Sequence, residues 1–421
     1  MFQVAAYSTL AMTVTLALTR PRLRPSRVRV TPGSAALLGV IVLVALRLVA
    51  VGDLVASLRV QWRPLLSLAS IMLITGVVDE VGAFERLAAH IEAYARRTSA
   101  ARAFALVFAV ALVTPSLLNN DAAVLLLTPL VVALTRRLYP GRAGVTEAFA
   151  FAVFLAPGVA PLVVSNPMNM IVAEYAGIRF NAYAATMLPL AVAGALVTFA
   201  VLRWRFARAL AGAVAEPRTV AAKPRHPAER GVVALLVVVF ASYPVAAALG
   251  GPIWLVTVVG AIASLVLARA HDVAPLPKLA GHVSADILLF LWGVFLIVGG
   301  LRHVGVVASL SSWYALAGGG AAKLALVGAT AAVGSAVVDN HPMSILNMLA
   351  LGAHGHDRAL LAALVGGDLG PRLLPIGSLA GLLWMDLMRR AGAPVPLGRF
   401  VRLGALVLVP TLIVSLLLLA A

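Results

Sequence analysis

The sequence predicts an all-α membrane protein made of two inverted-topology repeats, each with about five transmembrane helices, a re-entrant helical hairpin and a broken helix. Three observations predict this fold: an apolar composition, an internal repeat, and polar clusters set inside apolar sequence. Of the 421 residues, 62% are hydrophobic and 12% are charged, whereas soluble domains are about 45–50% apolar and about 25% charged. Charge-free stretches such as 180–202 and 403–421 reach the roughly 17–25 residues that a membrane-spanning helix needs. No separate soluble domain is expected, so the function must lie within the bilayer.

The composition also excludes several classes of function. The chain carries 33 Lys or Arg against 16 Asp or Glu, but the basic residues cluster in short connections between apolar tracts, as the positive-inside rule expects, and nucleic-acid binding is not predicted. The absence of cysteine excludes disulfides, thiolate metal sites and thiol catalysis. Neither a P-loop nor an H-E-x-x-H motif is present, so we expect no enzyme activity and no cofactor.

An internal repeat divides the chain. Residues 73–87 (LITGVVDEVGAFERL) and 296–310 (LIVGGLRHVGVVASL) share six identities in fifteen at an offset of 223. Weaker echoes follow in the same order: Asn120 pairs with Asn340 at an offset of 220, and Asn166 with Ser378 at an offset of 212. Internal repeats are typical of secondary transporters. We therefore expect a first repeat over residues 1–204, a basic cytoplasmic linker over 205–230 and a second repeat over 231–421.

Charge predicts the relative orientation of the two repeats. Five arginines within residues 20–33 place that connection in the cytoplasm. The connection taken as its equivalent in the second half holds only Arg269 and Lys278 against Asp272. The basic linker between the halves is also cytoplasmic by this rule, so each half should cross the membrane an odd number of times. The halves are therefore expected to be inverted.

The elements of the first half follow in order. Apolar tracts lie near residues 2–19, 34–52 and 64–78. Residues 80–97 predict an interfacial helix, because Phe84, Leu87, Ala88, Ile91 and Ala95 form an apolar stripe opposite Glu85, Glu92 and Arg96.

Residues 103–135 are apolar, are interrupted midway by polar residues, and have Arg102 before them and Arg136 after them. Two ends on the same side predict a re-entrant hairpin, with a counterpart around 324–351. A helix broken around 157–166 and a final span to residue 202 complete the half.

Four polar clusters interrupt the apolar sequence and are the candidate site. Each precedes an apolar helix and contains residue types that cap helices, most clearly Asn166 followed by Pro167. Broken helices aim unpaired N–H groups and positive dipole ends at one central point, which suits a small oxygen-rich solute. The predicted substrate-binding residues are Asn119, Asn120, Asp121, Ser165, Asn166, Asn169, Asp339, Asn340, Gly377 and Ser378.

Carboxylates at this depth predict proton coupling. An Asp costs roughly 2.5–3.5 kcal/mol at the bilayer centre on insertion scales, which favours a functional role. We expect Asp121 to carry the proton and Asp339 to tune it, with Asp368 and His341 as the next candidates. A single Asn or Ser in a membrane helix is more often a cap or an interhelical contact than a ligand. Four clusters at repeat-related positions favour a site instead.

Two motifs resemble those of a known family. Asn120-Asp121 is followed by Ala-Ala-Val-Leu-Leu-Leu-Thr-Pro129, and Asp368-Leu-Gly-Pro371 precedes Pro375-Ile-Gly377-Ser378-Leu-Ala-Gly-Leu-Leu-Trp384. With these motifs the chain resembles, over nearly its whole length, the ArsB arsenite efflux permeases of the ion transporter superfamily. The resemblance implies ten spans plus two hairpins, with a site between the hairpin tips and the broken helices. It also implies exchange of arsenite or antimonite for protons in a prokaryotic inner membrane, and an optional ArsA-type ATPase partner.

Two other readings stay open at the level of sequence. A proton- or sodium-coupled transporter of another inorganic ion or a small carboxylate would use the same fold, although such carriers usually present more Ser and Thr at both hairpin tips. A passive channel would suit a neutral solute but leaves Asp121 and Asp339 without a role. Arsenite is a neutral trihydroxide near pH 7, so amide and hydroxyl groups can hold it without a full counter-charge.

Overall fold

The computed structural model describes residues 2–19, 21, 30–117, 120–216, 226–302, 304–352 and 357–421, without the side chains of residues 2–4, 18, 19, 117 and 120–122. These residues form helices and connecting turns, with no β-strand among them, which confirms the all-α prediction. The helices, numbered α1 to α20, are Phe2–Thr19, Pro32–Ala45, Val51–Glu80, Ala83–Arg97, Ala100–Leu117, Asn120–Leu138, Ala143–Leu155, Pro167–Ala176, Phe180–Arg205, Ala207–Leu210, Glu229–Ala248, Ile253–Ala270, Leu276–Ala280, Ala285–Arg302, Val306–Ala315, Gly320–Val338, Asn340–Leu351, Arg358–Leu369, Leu379–Arg390 and Leu397–Ala420.

Within this described part, seven helical segments are long and apolar enough to cross a membrane. They are α3, α9, α11, α12, α14 together with the short α13 before it, α16 and α20. The apolar helices α1, α2, α5 and α7 are shorter. The chain is thus a multi-pass membrane protein.

Helix α3 shows where the predicted boundaries are wrong. The predicted tracts near 34–52 and 64–78 are instead α2, which ends at Ala45, and a 30-residue α3 that runs through Pro64. The polar residues around Arg63, between the two predicted tracts, are helical in the structure. The Arg63 guanidinium also reaches Glu174 of α8 at 2.9 Å. Local polarity therefore does not mark a helix end here.

Helix α4 confirms the amphipathic prediction except at Glu92. Its Phe84, Ile91 and Ala95 are buried, as the apolar stripe predicts. Glu92, predicted on the polar face, is buried as well. It accepts hydrogen bonds from Arg96, at 2.5 Å, and from Arg137 of α6. Two guanidinium partners therefore stabilise a charge that the helical periodicity placed in solvent.

Helices of the first half pack against helices of the second half. Helix α2 packs against α14, and α3 packs against α12. At the offset of 223, α3 corresponds to α14 and α2 to α12, so the two contacts are equivalent. Small residues permit the close approach, since a Cβ added at Gly293 would lie 2.7 Å from the Ala36 side chain. This packing is compatible with two repeats related by a two-fold axis.

The same equivalence corrects one step of the charge argument. The connection between α12 and α14 contains Lys278 and His282, which contact Glu80 at the end of α3 at 2.6 and 3.0 Å. By element order it corresponds to the connection between α2 and α3, so it was wrongly compared with residues 20–33. The true counterpart is the α11–α12 turn, residues 249–252, which has no charged residue. Residues 20–33 therefore carry five arginines, whereas the equivalent connection carries none.

Two interrupted helices and two helix pairs meet between the halves. Helix α7 ends at Leu155, and the chain passes through a 3₁₀ turn, Val163–Ser165, before α8 begins. Helix α18 is followed by the 3₁₀ turns Gly370–Arg372 and Pro375–Gly377 before α19 begins. Helix α5 contacts α6, and α16 contacts α17 across Asp339. Helix α7 packs against the first pair and α18 against the second, and the 3₁₀ turns of the two breaks contact α5 and α16.

Candidate functional site

A cavity of about 50 Å³ lies where these elements meet. It has room for a few water-sized molecules. Its walls come from the end of α5, both helix breaks and the start of α17. The polar and charged residues that line it are Ser116, Ser165, Asn166, Asn340, Asp368, Arg372 and Ser378.

The cavity brings together several of the residues predicted from the sequence. Ser165, Asn166, Asn340, Asp368 and Ser378 all line it. These five come from α17 and the two broken helices, and from both halves of the chain.

The other predicted residues lie elsewhere or outside the described part. Asn119 is outside the described residues, as are the side chains of Asn120 and Asp121. Gly377 packs against α16, where an added Cβ would lie 2.8 Å from the Ser335 carbonyl oxygen. Asn169 reaches the cavity only through Asp368.

Helix capping explains how Asn166 and Ser378 are positioned. Asn166 Oδ1 accepts from the Met168 N–H at 3.1 Å, and Ser378 Oγ accepts from the Gly381 N–H at 3.0 Å. Both are N-caps, of α8 and α19, which confirms the capping predicted for them. The backbone N–H groups at both helix starts therefore lie beside the cavity.

In the third polar cluster the N-cap is Asp339 and not its neighbour Asn340. Asp339, with φ of 87°, is the N-cap of α17, and its Oδ1 accepts from the His341 N–H at 2.9 Å. A carboxylate in this position accepts the charge-assisted hydrogen bond in place of the neighbouring amide. Asn340 Oδ1 is left buried and without a hydrogen-bond partner among the described residues. Asn340 itself lines the cavity.

Asp339 and His341 form a buried pair behind the cavity. His341 Nδ1 lies 2.8 Å from Asp339 Oδ1, and the imidazole contacts the ring of Phe290 edge-on at 5.6 Å between centroids. Neither side chain lines the cavity. The Asp339 carboxylate is therefore satisfied by its own helix start and by the imidazole.

Asp368 is the carboxylate that faces the cavity. It accepts from the Ala160 N–H at 2.9 Å, from Asn166 Nδ2 at 2.7 Å and from Asn169 Nδ2 at 3.1 Å. Asn169 Nδ2 also donates to Tyr183 Oη at 2.7 Å, and Tyr183 donates to the Ala160 carbonyl at 3.1 Å. Each donor comes from the first half, whereas Asp368 belongs to the second. This network holds the two broken helices together.

Arg372 also lines the cavity, and the sequence analysis missed it. Its Nη2 donates to the carbonyl oxygens of Leu155, at 2.6 Å, and of Pro157, at 3.0 Å, and its Nη1 donates to Thr198 Oγ1 at 3.2 Å. Only 2% of the residue is exposed. A signal was available in the sequence, because Asp368 and Arg372 stand four residues apart within an otherwise apolar stretch, and an ionisable residue in a membrane span is a functional candidate by default.

A second cavity, of about 300 Å³, lies behind the first. Arg63, Glu174 and residues of the α11–α12 turn line it. Val163 and Val164 face this second cavity, whereas the next residues, Ser165 and Asn166, face the first. One 3₁₀ turn therefore separates the two cavities.

Known proteins resemble the chain over almost its whole length. It is 29% identical over 398 residues to the arsenical pump membrane protein of Escherichia coli K12, covering 91% of this chain and 92% of that protein. It is 28% identical over 382 residues to the arsenical pump membrane protein of Yersinia enterocolitica, with coverages of 87% and 88%. An uncharacterized transporter of Mycobacterium tuberculosis is 30% identical over 402 residues, with coverages of 90% and 91%.

A solved structure shares the fold. The YdaH transporter of Alcanivorax borkumensis, whose topology is described as unusual, matches with a TM-score of 0.60 at 18% identity, covering 100% of this chain and 96% of that one. The family described as arsenical pump membrane protein, ArsB, matches residues 10–420. The chain is a membrane transporter rather than an enzyme, and it belongs to the ArsB family of arsenical pump membrane proteins.

Proposed function

We propose that this transporter exports arsenite and antimonite from the cytoplasm in exchange for protons. The observation that carries the proposal is one cavity that gathers the N-caps of both broken helices, the unpartnered amide oxygen of Asn340 and a buried carboxylate. A trihydroxide presents O–H donors and oxygen acceptors on all sides. Amides, hydroxyls and helix N–H groups match those groups without a net charge. The family relationship supports the same substrate class.

In this proposal the cavity residues have separate roles. Asn340 Oδ1 accepts from a hydroxyl of the solute, and Ser165, Asn166 and Ser378 supply further polar contacts. Asn169 orients Asp368. The sequence-predicted ligands Asn119, Asn120 and Asp121, which stay part of this proposal, lie outside the described residues or side chains. Gly377 allows the close packing that places Ser378.

The coupled proton is assigned to a carboxylate of this region. Asp368 is a second candidate proton carrier in addition to Asp121, because it lines the cavity and accepts from three donors. A proton on Asp368 removes acceptor capacity and releases an amide donor of Asn166 or Asn169. Binding of the proton and binding of the solute would then change the same hydrogen bonds. The Asp339–His341 pair, behind the cavity, tunes the process.

The two halves provide the frame for this exchange. Repeats over residues 1–204 and 231–421, joined by the basic linker 205–230, would present the one cavity between them to the two sides of the membrane in turn. The family resemblance also supports an ArsA-type ATPase as a partner on the cytoplasmic face.

One observation favours a second candidate, a proton- or sodium-coupled carrier of a small carboxylate or another inorganic ion. Arg372 lines the cavity, and a guanidinium suits a carboxylate. Its two Nη atoms, however, already donate to Leu155, Pro157 and Thr198. The neutral solute therefore remains the better match.

Uptake into proteoliposomes tests the proposal. Vesicles that contain the purified full chain should accumulate arsenite when their lumen is acidic. This accumulation should vanish when an ionophore collapses the pH difference. A sodium gradient of the same size should have no effect. Empty liposomes and the Asp368→Asn variant serve as controls. Accumulation driven by sodium, or indifferent to both gradients, would sink the proton-exchange assignment.

A further inference from the structure

The break in the first half exposes two opposite partial charges. Helix α7 ends at Leu155, where the last carbonyl groups have no partner within the helix. Helix α8 begins at Pro167, where the first N–H groups have no partner within the helix. Carbonyl ends carry partial negative charge and N–H ends partial positive charge. A break buried in a membrane must satisfy both ends from within the protein.

One helical turn of the second half supplies both partners. Arg372 donates to the carbonyls of Leu155 and Pro157, at the α7 end. Asp368 accepts from the Ala160 N–H and from Asn166, which is the N-cap of α8. The cation thus lies at the acceptor end of the break and the anion at the donor end.

The arrangement is not repeated at the other break. At the offset of 212 the counterparts of Asp368 and Arg372 are Ala156 and Ala160, which carry no charge. The second break instead packs its backbone against α16, where Gly370 adjoins the Ala332 carbonyl. Both charges of the site therefore come from one half.

The charge of the cavity follows from these two residues. Among the described side chains that line it, Asp368 and Arg372 alone are ionisable. While Asp368 is ionised their charges cancel, and an ion without a counter-charge is costly to bring into a buried site. A neutral solute meets no such cost.

We propose that Arg372 determines the charge class of the substrate, because its charge balances Asp368 so that the cavity accepts an uncharged hydroxylated solute, while its bonds to Leu155 and Pro157 hold the break in place. This inference deepens the proposed function and rests on it for the identity of the solute. Removal of one partner leaves the other charge uncompensated. A cavity with Arg372 alone would accept small anions.

The experiment compares four versions of the full chain in proteoliposomes at pH 7: wild type, Asp368→Asn, Arg372→Gln and the double variant. Formate is the anionic probe and boric acid the neutral trihydroxide probe. Each is titrated as a competitor of arsenite uptake, measured without a pH gradient so that Asp368→Asn can exchange solute. Wild type should be inhibited by boric acid and not by formate. Asp368→Asn should become at least about tenfold more sensitive to formate, equivalent to roughly 1.4 kcal/mol.

The other variants separate charge from structure. The double variant should lose the sensitivity to formate, because the cavity is neutral again. Arg372→Lys keeps the charge without the planar fork, so it should resist formate while transporting more slowly. Arg402→Gln, an exposed position on α20, is the matched control and should behave as wild type. A merely structural Arg372 would lower the melting temperature of its variants without any change in the ratio of formate to boric acid inhibition.

Two results would overturn the proposal: formate inhibition of the wild type, or equal formate sensitivity in Asp368→Asn and the double variant. Ligand-induced thermal stabilisation by formate and boric acid repeats the comparison without arsenite. If the wild type fails to transport arsenite, the proposed function fails, and the stabilisation data still decide whether the pair sets the charge class.

Discussion

At the scale of single residues, local chemistry was predictable and distant chemistry was not. The capping roles of Asn166 and Ser378 follow from their residue types and from the apolar sequence after them, and the structure confirms both. The partners of Asp368 and Arg372 lie about 200 residues away in the chain. No local pattern indicates such a contact. Asp339 and Asn340 are adjacent and are both residue types that cap helices. The structure has Asp339, with its positive φ, as the N-cap, and α17 begins at Asn340.

Gly404 of α20 gives the first prediction. A Cβ at this position would overlap the backbone carbonyl oxygen of Arg372, which cannot rotate away. Gly404→Ala should therefore destabilise the protein by at least about 1–3 kcal/mol, the usual cost of overpacking. Gly398→Ala on the same helix is the control, because an added Cβ meets nothing within 4 Å there. Thermal unfolding in detergent measures both, and equal melting temperatures would contradict the close contact.

Asp339→Asn gives the second prediction. The Asn oxygen can still accept from the His341 N–H, so the cap of α17 and the fold should survive. The charge beside His341 Nδ1 is lost, so we expect transport with a shifted pH optimum. The pH profile of arsenite uptake measures the shift. An unchanged profile would remove the Asp339–His341 pair from the coupling scheme.

At the scale of elements, helix existence was predictable and helix boundaries were less so. Helix α4 and both broken helices lie near their predicted positions, because apolar periodicity and polar interruptions are strong signals. The start of α3 was missed because its polar residues are helical although they interrupt the apolar sequence. Helix α4 is also tied to two neighbours. Glu92 bonds Arg137 of α6, and Arg86 bonds Glu229 of α11 at 2.7 Å.

Glu92→Gln tests the link between α4 and α6. The substitution leaves Arg137 without its carboxylate partner, so we expect a loss of roughly 1.5–3 kcal/mol of stability, typical of a charged hydrogen bond. Glu85→Gln, exposed in the first turn of α4, is the control and should change stability by less than about 0.5 kcal/mol. Denaturation of the purified protein measures both. Similar losses in the two variants would show that Glu92 contributes no specific link.

The helix pair α5–α6 is predicted to be re-entrant, with both ends on one side of the membrane. Single cysteines replacing the exposed Ser99 and Pro140 should then react with an impermeant thiol reagent from the cytoplasmic side. Leu249→Cys, in the uncharged α11–α12 turn, should react from the opposite side. The native chain has no cysteine, so labelling needs no background removal. Labelling of positions 99 and 140 from opposite sides would mean that the pair crosses the membrane an odd number of times, and the hairpin would be wrong.

At the scale of the whole molecule, the duplication was the most informative signal in the sequence. Six identities in fifteen residues were enough to indicate equivalent helices, and those helices pack against helices of the other half. The same signal misled where element order was unknown, since residues 269–278 were matched to the wrong connection. It also could not reveal asymmetry. A repeat predicts equal sites in both halves, whereas among the described side chains both ionisable residues of the cavity come from the second half.

The turn between the two cavities is short compared with the thickness of a membrane. A hydrocarbon core is about 30 Å thick, whereas the Val163–Ser165 turn between the cavities has three residues, or about 6 Å at 3₁₀ spacing. Both cavities are large enough for water. If each cavity fills with water from one face of the membrane, the low-dielectric path shortens and the electric field is concentrated on this turn. A charge that moves past Val163–Ser165 would therefore traverse a large share of the roughly 2.3 kcal/mol that 100 mV imparts to a unit charge.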